Sequence, residues 1–177
     1  MLKNLFLKLA SGIKPKSAAA QQDGARWAVA GMASLLTGQK LPALSMFGRG
    51  VILLERRWRE RHPEYTGGVD ARVKAALSFY EATHQNPKNR TLHLVGIPMI
   101  VGGAAGLIVA PAFRPAWWMS AGLFTLGWQL NIAGHLFYEK NKPAFADDPL
   151  AFVVGPLWDA RQFVARLRGR RAATATA

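Results

Sequence analysis

The stretch that decides the fold of this 177-residue chain is LVGIPMIVGGAAGLIVAPAFRPAWWMSAGLFTLGWQLNIAGHLFY, residues 94–138. It contains two apolar runs, Leu94–Phe113 and Ala116–Tyr138, which are twenty and twenty-three residues long and carry no charged side chain. A helix rises about 1.5 Å per residue, so each run has roughly the length needed to cross the hydrocarbon layer of a bilayer. The stretch therefore predicts two membrane-spanning helices.

The two runs are separated only by Arg114 and Pro115, which leaves room for a tight turn. Two helices joined in this way are expected to be antiparallel neighbours. Gly102 and Gly106 have the small-xxx-small spacing that lets membrane helices approach closely. The alternative is a buried helical hairpin in the core of a soluble protein, because Gly and Ala dilute the hydrophobicity of the first run. The predicted fold class is all-α: an integral membrane hairpin of two spans with flanking amphipathic or interfacial helices.

The chain is strongly basic, with 23 Lys and Arg against 10 Asp and Glu and a formal net charge of +13. The basic residues cluster near the N-terminus, at residues 56–61 and at residues 161–171, and all three clusters flank the apolar runs. Such a charge indicates an acidic partner, either nucleic acid or anionic lipid. Because the chain lacks zinc-finger spacing, an aromatic ribonucleoprotein strand and a Gly-rich phosphate loop, we expect the lipid bilayer as the partner and no nucleic acid.

Both arms of the predicted hairpin leave the membrane on the side that carries the basic clusters. The positive-inside rule then predicts that both termini are cytoplasmic and that the link at Arg114 lies on the opposite side. The first 22 residues lack the long apolar core and the cleavage site of a secretory signal. With the Ala- and Arg-rich composition, this favours a bacterial cytoplasmic membrane, and the endoplasmic reticulum is the alternative.

Three of the four histidines, together with one glutamate, fall at the ends of the two runs. His84 and His93 lie at the beginning of the first run, and His135 and Glu139 at the end of the second. An antiparallel hairpin brings these ends together at one membrane face, and residues four apart share one side of a helix. Because the chain has no cysteine, a metal must be held by His and carboxylate, and this set suits Fe(II) or Zn(II).

Polar contacts at the interface are the alternative explanation for these residues, since a histidine often meets lipid headgroups and Glu139 has Lys140 and Lys142 nearby. Their convergence favours metal ligation by the set. Four histidines exclude the arrangement of about eight that membrane di-iron hydroxylases need, so a single metal ion is the limit. His62 follows a charged helix in a turn, and we interpret it as a solvated residue.

A family resemblance appears at these residues. The similar motifs are Phe79-Tyr80, His84-x-x-x-x-Asn89-x-x-x-His93, Gly96-Ile97-Pro98, Gly127-Trp128, Gly134-His135, Glu139 and Pro143-Ala144. Over roughly residues 76–160 the chain resembles the membrane 2-hydroxy fatty acid dioxygenase family. The resemblance implies an Fe(II)-dependent reaction with O2 that shortens a 2-hydroxy fatty acid by one carbon in alpha-oxidation. It also implies His84, His93 and His135 as iron ligands, with Glu139 as a fourth ligand or a catalytic base.

Two features depart from the family pattern: Asn131 stands where a glutamine is common, and a further histidine found in some members is absent. Three residues near the site, Arg90, Lys140 and Asn131, are predicted to bind the substrate. The alternatives to a dioxygenase are a membrane structural or lipid-binding protein without catalysis and a zinc-dependent lipid hydrolase. A homo-oligomer is compatible with each of them.

The chain is predicted to divide into four segments. They are a basic tail at 1–24, interfacial or packed helices at 25–66, a membrane catalytic domain at 67–165 with spans at about 94–113 and 116–138, and a basic disordered tail at 166–177. Residues 62–68, HPEYTGG, are expected to form a turn. From Val69 the apolar positions recur at helical spacing, which predicts an amphipathic helix that leads to His84 and is ended by Pro87.

Overall fold

The computed structural model describes residues 18–175. Within that range all regular secondary structure is helical, and there is no strand. The helices are α1 (Ala18–Leu35), α2 (Lys40–Arg61), α3 (Val69–Thr83), α4 (Pro87–Val109), α5 (Pro115–Ala133) and α6 (Ala151–Ala175), with a π-helix at Gly134–Glu139 and a 3-10 helix at Ala144–Ala146. The all-α class is therefore as the sequence predicted.

Helical structure extends into both segments that the sequence marked as tails. Helix α1 begins at Ala18, and α6 continues to Ala175, so residues 166–175 are helical where disorder was expected. Alanine, the strongest helix former, is frequent in both segments. The rest of the predicted N-terminal tail, residues 1–17, lies outside the described residues.

Pro87 begins a helix instead of ending one. Helix α3 ends at Thr83, and Pro87 is the first residue of α4, where its missing N–H costs no hydrogen bond. The side chain of Asn86 caps the new helix by accepting a hydrogen bond from the backbone N–H of Lys88, at 3.0 Å. As a result α4 starts seven residues before the predicted span, and His84 lies in the connection between α3 and α4.

Helices α4 and α5 form the antiparallel hairpin expected from the short link. Their contacts are close because glycines stand at the crossing. A Cβ atom on Gly103 would lie 2.5 Å from the backbone nitrogen of Phe124, and one on Gly127 would lie 2.6 Å from the carbonyl oxygen of Gly96. Gly102, which the sequence suggested as a contact residue, has open space around it, whereas Gly106 approaches Ser120.

Among the helices between residues 18 and 175, α4 is the one long and apolar enough to cross a membrane, with a mean hydropathy of 2.0 over its best window. Helix α5 also has an apolar sequence, but it gives way to the π-helix after Ala133, and residues such as Gln129 and Asn131 lower its hydropathy. Two membrane crossings therefore remain a proposal, whereas the helical hairpin itself is present.

The segment at 25–66 folds back on itself and packs against the end of the hairpin that carries the α4–α5 link. Leu35 and Ala43, from α1 and α2, share a buried cluster with Leu107 and Trp117. The Nζ atom of Lys40 donates a hydrogen bond to the carbonyl oxygen of a residue in the link, Ala110, at 2.6 Å. Helices α1 and α2 thus support the end of the hairpin that is remote from the histidines.

A buried ion cluster fastens α3 to its neighbours. Arg72 of α3 donates to Glu55 of α2 at 2.8 Å and to Asp148 at 2.7 Å, and all three side chains are almost fully buried. The guanidinium of Arg72 also lies over the ring of Trp58, at 3.6 Å. Removing one partner of such a buried group leaves uncompensated charge, so the cluster holds α2, α3 and the segment before α6 in one arrangement. This arrangement brings the end of α3 to the open end of the hairpin.

Candidate metal centre

Three histidines meet where α3 ends, α4 begins and α5 ends. His84 is the residue after α3, His93 lies in the second turn of α4, and His135 belongs to the π-helix that follows α5. Their exposed fractions are 2, 3 and 4 %. Each offers one ligand nitrogen, and the three nitrogens lie within 4.8 Å of one another. The structure therefore confirms the predicted convergence of these three side chains, which we call the histidine triad.

The rings of the triad are arranged symmetrically around a common centre. Their centroids are 4.8 to 4.9 Å apart, and each pair of rings meets edge-on at 79 to 84°. Three nitrogens with the separations given above have a point within roughly 2.8 Å of all of them, somewhat more than the metal–nitrogen distance of about 2.0–2.1 Å typical of zinc. A small inward movement of the rings would therefore be enough to share one ion.

Each Nδ1 atom of the triad is engaged by a hydrogen-bond acceptor. His84 Nδ1 donates to the carbonyl oxygen of Tyr80 at 2.8 Å, and His93 Nδ1 donates to that of Asn89 at 3.1 Å. His135 Nδ1 donates to the side-chain Oδ1 of Asn141 at 2.7 Å. A neutral imidazole that donates through Nδ1 carries its lone pair on Nε2, which is the arrangement found in metal-binding histidines. The three rings are thus held in one tautomer.

The surroundings of His84 fit a metal ion. Its Nε2 atom is buried and has no hydrogen-bond partner among the described residues. Burial lowers the pKa of His84 to about 4, so the ring is neutral at pH 7 and its lone pair is available. A buried polar atom without a partner costs free energy, and a metal–nitrogen bond would offset that cost. The residues present therefore fit a metal ion.

Glu139 lies beside the triad but outside its group of ligand nitrogens. Its Oε1 atom accepts a hydrogen bond from the backbone N–H of Asn86 at 2.7 Å and from Nδ2 of Asn89 at 3.2 Å. The expectation that His135 and Glu139 share one side assumed an α-helix. The two residues instead lie in a π-helix after α5, and the carboxylate of Glu139 contacts Asn86 and Asn89 at the start of α4. The carboxylate holds the start of α4, and ligation by Glu139 stays a prediction.

An apolar cavity of about 100 Å³ adjoins the triad. Besides the histidines, Tyr80 and Asn131, its walls are made of carbon-rich side chains from α4, α5, the segment after the π-helix and the first turns of α6. Among them are Ile97, Trp128 and Phe152. Apolar walls with a few polar groups at one place are typical of a ligand-binding cavity. We call it the triad cavity.

The three predicted substrate-binding residues have different positions. Asn131 is buried in the wall of the triad cavity, and within residues 18–175 its Oδ1 atom has no hydrogen-bond partner. Arg90 stacks on the ring of Trp158 at 4.6 Å, and Lys140 is exposed; neither is part of the cavity wall. The structure therefore brings Asn131 to the site, and roles for the two basic residues stay predictions.

His62 does not belong to the triad. Its ring stacks on Trp58 at 4.3 Å, and its Nδ1 donates to the carbonyl oxygen of the same residue at 2.7 Å. It is half-buried, not fully solvated as the sequence suggested, because of this stacking.

Sequence reasoning missed the residues that orient the triad. Asn141 joins His135 to the end of α3, since its Nδ2 donates to the carbonyl oxygen of Thr83 at 3.0 Å. The ring of Tyr80 stacks on that of His84 with centroids 3.9 Å apart. Tyr80 and Asn89 stood in the family motifs without a role, whereas no motif pointed to Asn141. The turn that places it begins at Lys140, whose φ of 56° ends the π-helix.

The part of the chain that forms the site is similar to a known protein family. No curated protein and no solved structure matches the chain. A family model described as 2-hydroxy-palmitic acid dioxygenase Mpo1-like matches residues 71–167, which is more than half of the chain and includes the whole triad. In agreement with the resemblance of its motifs, this chain belongs to the Mpo1-like family.

Proposed function

We propose that this protein is an Fe(II)-dependent dioxygenase of the membrane that shortens 2-hydroxy fatty acids by one carbon. The observation that carries the proposal is the histidine triad, in which three buried imidazoles are fixed in one tautomer and converge on one point. The family description supports the class of substrate and of reaction.

His84, His93 and His135 would hold the metal. Fe(II), when bound, supplies the redox chemistry with O2 and a Lewis acid for the carboxylate and 2-hydroxyl of the substrate. Glu139 acts by holding Asn86 and Asn89, and through the carbonyl oxygen of Asn89 it positions His93.

The polar head of the substrate enters the triad cavity beside Asn131. The Oδ1 atom of Asn131, which has no partner among the described residues, can accept a hydrogen bond from the 2-hydroxyl of the substrate, and this contact would fix which end of the fatty acid faces the triad. The apolar walls exclude water from the head. Arg90 and Lys140, outside the cavity, attract the carboxylate as it approaches from the membrane surface.

A membrane location is supported by the outer surface of the hairpin. Only 28 % of the most apolar window of α4 is buried, although a core helix of a soluble protein would be mostly covered. Large apolar side chains are exposed on both helices, including Val95, Val101, Val109, Met119, Leu126 and Ile132. We propose that α4 and α5 both cross the bilayer, with the triad at the cytoplasmic face of a bacterial inner membrane.

Metal analysis together with an oxygen electrode tests this function. Protein purified in detergent is expected to contain close to one iron per chain, and 2-hydroxypalmitic acid should be converted to the acid one carbon shorter with consumption of O2. Stoichiometric zinc with hydrolysis of lipid esters and no O2 uptake would instead identify a hydrolase. Protein that binds no metal at all would support a structural or lipid-binding role.

A further inference from the structure

A second apolar space adjoins the triad cavity. It is a groove of about 310 Å³ between α4 and α6. Ile97, Val101 and Pro156 belong to the walls of both spaces, so the two meet at these side chains. We call the second space the α4–α6 groove; beyond the shared residues it is lined mainly by Leu94, Pro98, Ala160 and Phe163.

The α4–α6 groove suits a hydrocarbon chain better than a polar ligand. Its lining is apolar except for Asp159, which is buried and accepts a hydrogen bond from the Oη of Tyr80 at 3.3 Å. Val101 and Phe163 are about half exposed, at 51 and 48 %, so the groove is open along its length to the surroundings of the hairpin. An occupant can therefore enter the groove sideways, next to the side chains that also line the triad cavity.

Two prolines inside helices stand on opposite walls of the groove. Pro98 lies within α4 and Pro156 within α6, and both line the groove. A proline in a helix interior removes one backbone hydrogen bond and crowds the preceding turn, which prevents regular close packing at that level. The pair gives a physical reason why α4 and α6 leave a gap beside the triad cavity.

We propose that the α4–α6 groove binds the acyl chain of the substrate while the polar head lies at the triad. The identity of the polar head rests on the proposed function. The new inference is the binding site of the acyl chain. Ala151 in the triad cavity and Phe163 in the groove are twelve residues apart on α6. The helix rise gives about 18 Å between them, similar to the roughly 15 Å that acyl chains occupy in one leaflet of a bilayer.

Filling the groove tests the proposal. Ala160 is exposed in the groove wall, so Ala160→Trp adds bulk there without entering the core. Ala165→Trp places the same side chain at an exposed position of α6 outside the groove and serves as the control. The readout is the Kd for radiolabelled palmitic acid, measured by equilibrium dialysis on the full chain in nanodiscs. This readout requires neither turnover nor O2.

We expect Ala160→Trp to weaken palmitic acid binding at least about tenfold, because the indole occupies the space of several methylenes of the acyl chain, which then lose their packing contacts in the groove. Ala165→Trp should bind as the wild type does, and both variants should keep their iron. Equal affinities in the two variants would overturn the proposal. It would also be overturned if Ala160→Trp lost a co-purified phospholipid but kept its affinity for palmitic acid, since the groove would then hold a bilayer lipid.

Two further outcomes separate this inference from the proposed function. The wild type could turn over no 2-hydroxy acid while Ala160→Trp still weakens palmitic acid binding. This result would contradict the proposed reaction and support acyl-chain binding in the groove. If Ala160→Trp fails to fold, a photoreactive palmitic acid analogue on the wild type replaces it. Crosslinks to Leu94, Ala160 or Phe163 would support the groove, and crosslinks confined to other positions would reject it.

Discussion

At the scale of single residues, the triad depends on what each Nδ1 atom touches. Two of the acceptors are backbone carbonyls four residues earlier in the chain, at Tyr80 and Asn89, so local chain geometry orients His84 and His93. His135 is held differently, by the side chain of Asn141. The amide of Asn141 cannot be reversed without loss, because its Nδ2 donates to a carbonyl oxygen that only accepts. The third ring is therefore the one whose orientation a substitution can change.

Replacing His135 by Ala is expected to abolish both iron binding and O2-dependent shortening of 2-hydroxypalmitic acid. Two imidazoles would remain, and the protein has no cysteine to replace the third. Bound iron per chain and O2 uptake are the measurements. His62→Ala is the control, because His62 stacks on Trp58 away from the triad, and it should keep both properties. Iron and activity in His135→Ala would show that the triad is not the metal site.

Asn141→Ala is expected to weaken metal binding without removing a ligand. Without its acceptor, His135 loses the tautomer and orientation that present Nε2, and such an outer contact is typically worth about 10–100-fold in metal affinity. Competition with a chelator measures this affinity. Asn141→Asp retains an acceptor oxygen and should recover most of the loss. An Asn141→Ala protein with wild-type affinity would mean that Asn141 serves only to pin the loop to Thr83.

At the scale of helices, the π-helix at Gly134–Glu139 sets the positions of two polar side chains at the end of the hairpin. Within it His135 lies in the triad, and the carboxylate of Glu139 contacts the start of α4. Such insertions are rare and frequently found at functional sites. The close approach of α4 and α5 brings His93 and His135 to the same level, and it depends on glycines at the crossing.

Gly103→Ala and Gly102→Ala should change stability in opposite directions. A methyl group on Gly103 meets the backbone of Phe124, which cannot move aside without shifting α5, so we expect a loss of about 1–3 kcal/mol. Gly102 has open space, and alanine there should stabilise the helix by up to about 1 kcal/mol. Thermal unfolding of the two detergent-solubilised variants makes the comparison. Equal unfolding midpoints in the two variants would contradict the contact that α4 makes with α5 at Gly103.

At the scale of the whole molecule, the hairpin is supported at both ends by different means. Helices α1 and α2 bury apolar side chains against the linked end, whereas the Arg72 cluster joins α3 and the segment before α6 at the open end. The apolar outer faces of α4 and α5 are left uncovered between these supports. A bilayer around the hairpin would cover them, and the fatty acid would then reach the groove without leaving the membrane.

The membrane topology gives the prediction at this scale. Reporter fusions are expected to place Pro115 on the far side of the membrane and Pro63 and Gly169 in the cytoplasm, because the basic clusters remain inside. A reporter at Gly169 that responds as an external site would reverse the orientation and move the triad to the other face. A cytoplasmic response at all three positions would show that the hairpin does not cross the bilayer.

The sequence by itself determined the helical class, the antiparallel hairpin and the meeting of His84, His93 and His135. Each follows from local properties: the length of two uncharged runs, a link too short for another path, and the position of the histidines relative to those runs. The exact ends of the helices did not follow, since Pro87 is equally able to stop one helix or to begin the next.

Only the tertiary structure decided which polar groups orient the triad, where Glu139 lies and where the α4–α6 groove forms. Thr83 and Asn141 are 58 residues apart, Glu55 and Asp148 meet through Arg72, and the groove forms between two helices that no pattern paired. Hydrogen bonds and cavities of this kind depend on packing between distant segments. The periodicity of a single segment contains no information about its partner, so these features appear only once the chain is folded.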